Sequence, residues 1–376
     1  VTDGDPAYAW VQDPGADPHK VGLWGKLLIG LAAAALVIPS VAAFVSVPYA
    51  VLSPGPITNT LGEVAKGKPL IEISGTPSYP TTGELNFTTV SVQGGPGDRV
   101  SALDWAIAKL RSSDAIYPVD ELFPPGSSAK DVLDENAAEM VDSQQEAIAV
   151  AMTKLGIKVT QRVAVADFPK DSAAQRAGIA KGDYIVAVDG TPVVTVDDIR
   201  PAIAKHKVGE KVAVTVDRGG KRQTLDVVTT ENKTDKGRPA IGVYLAVSFV
   251  HPYVVDIKAG DVGGPSAGLM FSLGVYDRLT PGALTGGADI AGTGTMYYTG
   301  AVGPIGGIRQ KLVGARDGGA NWFLAPADNC NEVVGHIPDG LHVVRVATFD
   351  EALTAVNAIA AKKTADLPTC TGPAAK

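Results

Sequence analysis

Gly263-Gly264-Pro265-Ser266-Ala267-Gly268-Leu269-Met270-Phe271 and Thr299-Gly300-Ala301-Val302-Gly303-Pro304-Ile305-Gly306-Gly307-Ile308-Arg309-Gln310-Lys311-Leu312 are the two stretches on which the reading of this chain turns. In the first, Pro265 suits the opening turn of a helix whose apolar side would be Leu269, Met270 and Leu273. Ser266 then sits where a loop meets a helix N-terminus. Unpaired backbone N–H groups and the helix dipole can stabilise a developing oxyanion there. In the second, Lys311 falls in a short helix that Gly318-Gly319 would end. A serine hydroxyl needs a base. A lysine can be that base if its pKa falls from about 10.4 to about 7–8, a shift of about 4 kcal/mol that burial can supply. Ile305, Ile308 and Leu312 are the apolar candidates for such surroundings. Taken singly, Ser266 also fits a cap in a packing turn, and Lys311 a solvated helix lysine.

The rest of the composition narrows the chemistry. The chain has 376 residues, enough for two or three domains, and 45% are apolar, enough for a sizeable core. Against 33 Lys+Arg stand 40 Asp+Glu, and aromatics are only 6%, so no nucleic-acid partner is expected. Five scattered His and two distant Cys form neither Cys-x-x-Cys nor His-Glu-x-x-His, so no metal and no cofactor is expected either. Gly62-Glu63-Val64-Ala65-Lys66-Gly67-Lys68 mimics a phosphate loop. Pro69 stands where the Mg²⁺-binding Ser/Thr would be and no apolar strand leads in, so it is set aside as chance.

Leu27 to Val47 runs 21 residues without a charge, long enough as a helix to cross a bilayer. A transmembrane anchor over 24–47 is the expectation, with a buried core helix or a cleaved signal ending near Ser40-Val41-Ala42 as the alternatives. Lys20 and Lys26 precede the run, and the next basic residues are Lys66 and Lys68. That asymmetry places the short tail inside and the rest extracytoplasmic at the cell membrane. In an oxidising compartment Cys330 and Cys370 are candidates for a disulfide.

Residues 1–19 are polar and acidic and read as a disordered tail; Ser53 to Gly62 reads as a Pro/Gly-rich connector. Leu85 to Val92 reads as a strand, 111–130 as loop, and Ala137 to Leu155 as a helix ended by Gly156. From about 158 to 230 the pattern changes to short strands at 163–165, 184–188, 212–216 and 224–228. Asp189-Gly190 and Arg218-Gly219-Gly220-Lys221 are turns, and a capped helix opens at Thr195.

Ser172-Ala173-Ala174-Gln175-Arg176-Ala177-Gly178-Ile179-Ala180-Lys181-Gly182-Asp183-Tyr184-Ile185, continued by Val188-Asp189-Gly190, resembles a PDZ domain of the bacterial protease-associated type, with Ala173 where that family usually has Pro. The resemblance implies capture of an extended peptide by strand addition beside a backbone loop. Its peptide-binding residues are not placed by the sequence; Leu155-Gly156-Ile157 is one candidate for the loop.

The two glycine-rich stretches together resemble the proteolytic domain of the Lon (S16-type) family, and more closely its PDZ-containing, membrane-anchored, ATPase-free bacterial members. The nucleophile motif is matched at Gly264-Pro265-Ser266-Ala267-Gly268 and the general-base motif at Pro304 to Lys311, including Gly306 and Gly307. The family's lysine-binding threonine is matched by Thr293. The resemblance implies an ATP-independent serine endopeptidase with a Ser266–Lys311 dyad, protein or peptide substrates, and a ring-forming homo-oligomer, a hexamer by family analogy. Energy-dependent members carry Asp where this chain has Gly263, and Asp261 lies two positions further back. The implied fold class is α+β: a Lon-type protease domain with an inserted or preceding mostly-β PDZ domain, plus one transmembrane helix. The corresponding segments are an α/β part at 57–155, the PDZ at 156–232, the proteolytic domain at 236–358 and a tail at 359–376. Leu85 to Val92 and the helix around 141–147 look like the opening elements of the protease domain, which would make the PDZ an insertion.

Two rivals remain. Gly264-x-Ser266-x-Gly268 fits a hydrolase elbow with His336 or His342 and Asp317, Asp328 or Asp339 as partners, but Lys258-Ala259-Gly260-Asp261 interrupts the required strand. A non-catalytic PDZ scaffold at the membrane has no use for Ser266 and Lys311 together.

Overall fold

Apolar period, capping residues and turn glycines account for most of the elements in the computed structural model, which describes residues 23–233 and 235–372. The expected tail at 1–19 lies outside the described residues. The chain divides into two compact units, residues 1–51 with 93–125, and residues 52–92 with 126–376.

In the smaller unit, helix α1 (Leu23–Ala42) has no buried residue and a mean hydropathy of 1.9, and its 20 residues are long and apolar enough to cross a membrane. It ends five residues short of the expected limit at 47, because Ser46–Val47 pairs with Val100–Ser101 and cannot stay helical. Helix α2 (Ala102–Leu110) is capped by Ser101, whose hydroxyl accepts the Asp104 N–H. Val51, Val100 and Ala108, with Val47, Trp105 and Ile116, form this unit's core.

The larger unit opens on strand β1 (Tyr49–Asn59), which continues from the smaller one. The expected connector at 53–62 is therefore mostly strand. Gly55 makes this possible: a Cβ there would come within 2.3 Å of Thr89 Oγ1, so only glycine lets the two strands approach. Strand β2 (Glu84–Gln93) follows, and then helix α3 (Ala129–Lys154). The helix starts eight residues earlier than its apolar period suggests, inside the expected 111–130 loop, because Ser128 and Asp131 form a capping box.

The next segment forms its own sheet and core. Strands β3 (Thr160–Asp167), β4 (Tyr184–Val188), β5 (Lys211–Arg218), β6 (Lys221–Val228) and β7 (Tyr244–Val250) pair antiparallel in the order β6-β5-β4-β3-β7. Helix α4 (Val196–Ile203) contributes Ile199, Ala202 and Ile203 to a core shared with Val163, Ile185, Val214 and Ile241. The Gly219-Gly220 turn has both residues at positive φ, as a tight hairpin requires.

Helix α5 (Gly268–Leu279), strand β8 (Asp289–Gly292), helix α6 (Ile308–Asp317), strands β9 (Trp322–Pro326) and β10 (His342–Val346) and helix α7 (Phe349–Ala360) complete the unit. Their sheet runs β10-β9-β8-β2-β1, with β10, β9, β8 and β2 parallel. One apolar core draws on both sides of the β3–β7 sheet in sequence: Leu85, Phe87 and Met140 to Met152 before it, Leu269 to Val275, Leu324 and Val356 after it. The Phe87 and Phe271 rings meet edge to face, 5.3 Å apart. Between α7 and residue 372 the chain is not a loose tail. Arg345 N–H donates to Pro368 O, Leu367 packs on the core, and Cys370 is bonded to Cys330.

Candidate active site

The loop that carries Ser266 is held from two sides. Strand Val254–Ile257 pairs with Ile71–Ser74 and stops there, so residues 258–267 cross to α5 as loop, not as a strand driving into an elbow. Pro265 and Ser266 form a turn before the helix, which begins only at Gly268 with Ala267 as its cap residue. The expectation that Pro265 opens the helix is thus displaced by three residues. Gly264 has φ +83°, and its N–H donates to Asn136 O on α3 at 2.9 Å. Ser143, two turns further along the same face of α3, donates its hydroxyl to Pro265 O at 2.9 Å. From the other side, Gly294 N–H and Thr293 Oγ1 both donate to Ser266 O, at 2.8 and 3.0 Å. Gly268 has no room for a side chain, since a Cβ would lie 2.9 Å from both Met296 N and Ser143 Oγ.

Lys311 reaches this loop from α6. Gly307, at φ +69°, is the N-cap and turns the chain into the helix; a Cβ on it would press Val90 Cγ1 at 2.8 Å. Ile308 and Leu312 are buried in a cluster with Ala291 and Phe323, which fixes the rotation of α6. Lys311 Nζ lies 2.6 Å from Ser266 Oγ and 2.9 Å from Thr293 Oγ1, and only 2% of the residue is exposed. Since the Thr293 hydroxyl proton goes to Ser266 O, its oxygen accepts from the lysine. Burial alone pushes the Lys311 pKa down to about 7. A depressed lysine within hydrogen-bond reach of a serine hydroxyl is the arrangement in which the amine can take the hydroxyl proton.

A cavity of about 410 Å³ opens in front of the pair. Its walls are Phe87 to Val90 of β2, Asn136, Glu139 and Met140 of α3, residues 261–267 and Gly306. The space above Gly306 is open, with nothing within 4 Å of a would-be Cβ. Of the residues singled out from the sequence, Gly264, Pro265, Ser266, Ala267, Gly306 and Lys311 line this cavity, and Thr293 backs it. Asp261 lines it as well. His336 and His342 do not; His342 lies against Trp322, ring centroids 4.8 Å apart, and among the described residues Ser266 has no histidine partner. The α3 and β2 walls were not visible as site residues in the sequence, because nothing in their local pattern says which loop they face. The phosphate-loop mimic is a hairpin, Glu63–Ala65 with Lys68–Pro69, and leads into no helix.

A second groove of about 390 Å³ lies on the β3–β7 sheet. Tyr244 and Leu245 of edge strand β7 form one wall and Val196, Ile199, Arg200 and Ile203 of α4 the other, closed at one end by Ile241-Gly242-Val243. Gly242 sits at φ +70° with its carbonyl bound by Ser172 Oγ. Leu155-Gly156-Ile157 is elsewhere. It caps the C-terminus of α3 through Gly156 N–H to Thr153 O and Ile157 N–H to Met152 O, a helix-ending motif that glycine at positive φ favours.

Comparison with known proteins agrees with both parts. Residues 245–358 match the Lon protease (S16) C-terminal proteolytic domain, and residues 141–229 match the PDZ domain family. A Lon protease of Azospirillum brasilense is 38% identical over 108 residues, covering 28% of this chain and 13% of that protein. Lon protease 1 of Sorangium cellulosum is 36% identical over 104 residues, 26% of this chain and 13% of that protein. The chain thus spans about an eighth of the length of these curated relatives. The crystal structure of the PDZ domain of an SdrC-like protein from Listeria monocytogenes is 28% identical, covers 22% of this chain and 86% of that one, and superposes with a TM-score of 0.21. The chain carries an S16-type serine protease domain and a PDZ domain, in a mixed helix and strand architecture with one apolar N-terminal helix.

Proposed function

We propose that this protein is a membrane-anchored serine endopeptidase that cleaves unfolded or extended protein segments without nucleotide. The observation that carries the reading is the 2.6 Å approach of a buried Lys311 Nζ to Ser266 Oγ. Neutral Lys311 takes the Ser266 proton, and the oxygen attacks the peptide carbonyl. Backbone N–H groups near Ser266, ahead of α5, stabilise the developing oxyanion together with the helix dipole. The lysine ammonium returns its proton to the leaving amine, giving an acyl ester on Ser266. Water, deprotonated by Lys311, then releases the acid. Thr293 holds the amine in line and ties it to the carbonyl of the nucleophile itself.

Of the expected 57–155 part, residues 57–92 and 126–155 belong in this reading with the segment after β7 as one proteolytic domain, and the core they share supports this. The PDZ that splits it extends past the expected 232 to the end of β7 at 250, since Ile241 joins its core and β7 its sheet. The groove between β7 and α4 captures the substrate by adding a strand to the outer edge of β7. Helix α1 anchors the chain, and the bonded Cys330–Cys370 pair suits a catalytic part outside the cytoplasm.

The test is casein digestion by the full chain in detergent micelles, with and without ATP. Cleavage that needs neither ATP nor metal and is lost in Ser266→Ala and in Lys311→Ala is the expected result. Equal, undetectable cleavage by wild type and Ser266→Ala would leave a non-catalytic scaffold in its place.

A further inference from the structure

The cleft in front of Ser266 carries charge that the dyad does not use. Besides Lys311, the titratable side chains on its walls are two carboxylates, Glu139 and Asp261. Glu139 projects from the face of α3 that also presents Asn136, Met140 and Ser143, the helical spacing of one face. That face is pinned to the nucleophile loop by the Asn136 and Ser143 hydrogen bonds. A methyl group on Gly264 would lie 4.0 Å from Glu139 Oε2, so the carboxylate stands beside the residue two positions before the nucleophile.

Neither carboxylate serves the base. The Lys311 pKa is lowered by burial alone, with no contribution from an acidic neighbour. Glu139 is pushed up, first by partial desolvation and then by Glu135 and Asp142, with no cation among the described residues contributing the opposite way. Among the described residues neither carboxylate forms an ion pair, so the substrate meets a wall carrying acidic groups that the protein does not itself neutralise. Opposite charge on the incoming peptide is the way to complement such a wall, and like charge is penalised.

We propose that Glu139 and Asp261 make this cleft select peptide segments with a lysine or arginine side chain next to the scissile bond. The proposal rests on the peptidase reading and names its substrate class. The cationic side chain lies along the α3 wall while its peptide carbonyl meets Ser266. The selectivity is electrostatic and falls with ionic strength.

The experiment digests an unbiased peptide library with the full chain in detergent micelles and reads the cut sites by mass spectrometry. Lysine and arginine at one flanking position should exceed aspartate and glutamate on the order of tenfold. The ratio should drop towards one in Glu139→Gln/Asp261→Asn and invert in Glu139→Lys. Thermal unfolding of each variant identifies any that fails to fold, and the two variants act in different directions, so loss of one leaves the other decisive. Cut sites without charge bias, or a bias unchanged in both variants, would overturn the proposal. In parallel, anisotropy measures the affinity of Ser266→Ala for lysine- and glutamate-bearing versions of one fluorescent peptide. Tighter lysine binding with no cleavage by wild type would sink the peptidase reading and keep the cleft preference. Cleavage with equal binding of the two peptides would do the reverse.

Discussion

The Ser143 hydroxyl donates to the Pro265 carbonyl at 2.9 Å, joining residues 122 apart in the chain across an intervening sheet of five strands. Ser143 is 3% exposed, so this bond is sheltered from water. It sets the height of the nucleophile loop over α3. Ser143→Ala leaves the Pro265 carbonyl without that donor, a loss of about 1–2 kcal/mol. The expected result is a several-fold fall in kcat with KM little changed and an unshifted pH profile, read from steady-state peptide cleavage.

Lys311 predicts a pH profile for activity and for stability. Activity should rise through about pH 7, where the amine becomes neutral. For stability, the folded pKa lies below the unfolded one, so the unfolded chain binds more protons between them. Stability therefore rises with pH from about 7 to about 10.4, by as much as about 5 kcal/mol. Lys311→Met should abolish cleavage and flatten that rise in urea titrations.

Asp277 works in the opposite sense. It is fully buried on α5, its Oδ1 accepts the Leu284 N–H, and its Oδ2 has no hydrogen-bond partner among the described residues. Burial, in the main, raises its pKa to about 6. Because the folded value exceeds the unfolded one, its contribution is most favourable below about pH 4 and is lost as pH rises through about 6, a swing of about 3 kcal/mol. Asp277→Asn should raise Tm at pH 8 and leave it nearly unchanged at pH 4.

Arg218 grips Asp183 with two hydrogen bonds of 2.7 Å, and a third goes to Gly178 O. Asp183 is 1% exposed, so its charge depends on this partner. The pairing, set against desolvation, holds the Asp183 carboxyl below its usual range, so the stabilisation is present above about pH 4 and lost as pH falls below it. Arg218→Ala strands a buried carboxylate at a cost of about 3 kcal/mol. Hydrogen exchange should show β3 to β6 opening in this variant while α5 and α6 stay protected.

Reduction of Cys330–Cys370 frees a loop of 40 residues, worth about 4 kcal/mol by the chain-entropy argument. The expected effect of a reductant is a lower Tm and proteolytic release of the segment after 361, with the Ser266 cavity residues still protected from exchange.

Much of the site could be read directly because its chemistry is local. Glycines around Ser266 and before Lys311 report a tight turn and a helix start, and those signals need no distant partner. The repeat of strand and turn between 160 and 228 is likewise local, and so is the apolar run of α1. Boundaries were less legible. The capping box at Ser128 outweighs the apolar period of α3, and β1 hides behind Ser53-Pro54-Gly55-Pro56, a turn-like sequence that is strand because Gly55 meets Thr89.

By itself, then, the sequence determined the residue types at the reacting centre, the turn chemistry that presents them, and the β-rich module between residues 160 and 230. Tertiary structure alone decided that α3 and β2 wall the cleft, that a groove lies between β7 and α4, and that Lys311 is buried enough for its pKa to fall to about 7. The physical reason is that backbone turns and helix starts follow from neighbours along the chain. Desolvation and field at a charged group come from atoms far away in sequence, and only packing brings those atoms together.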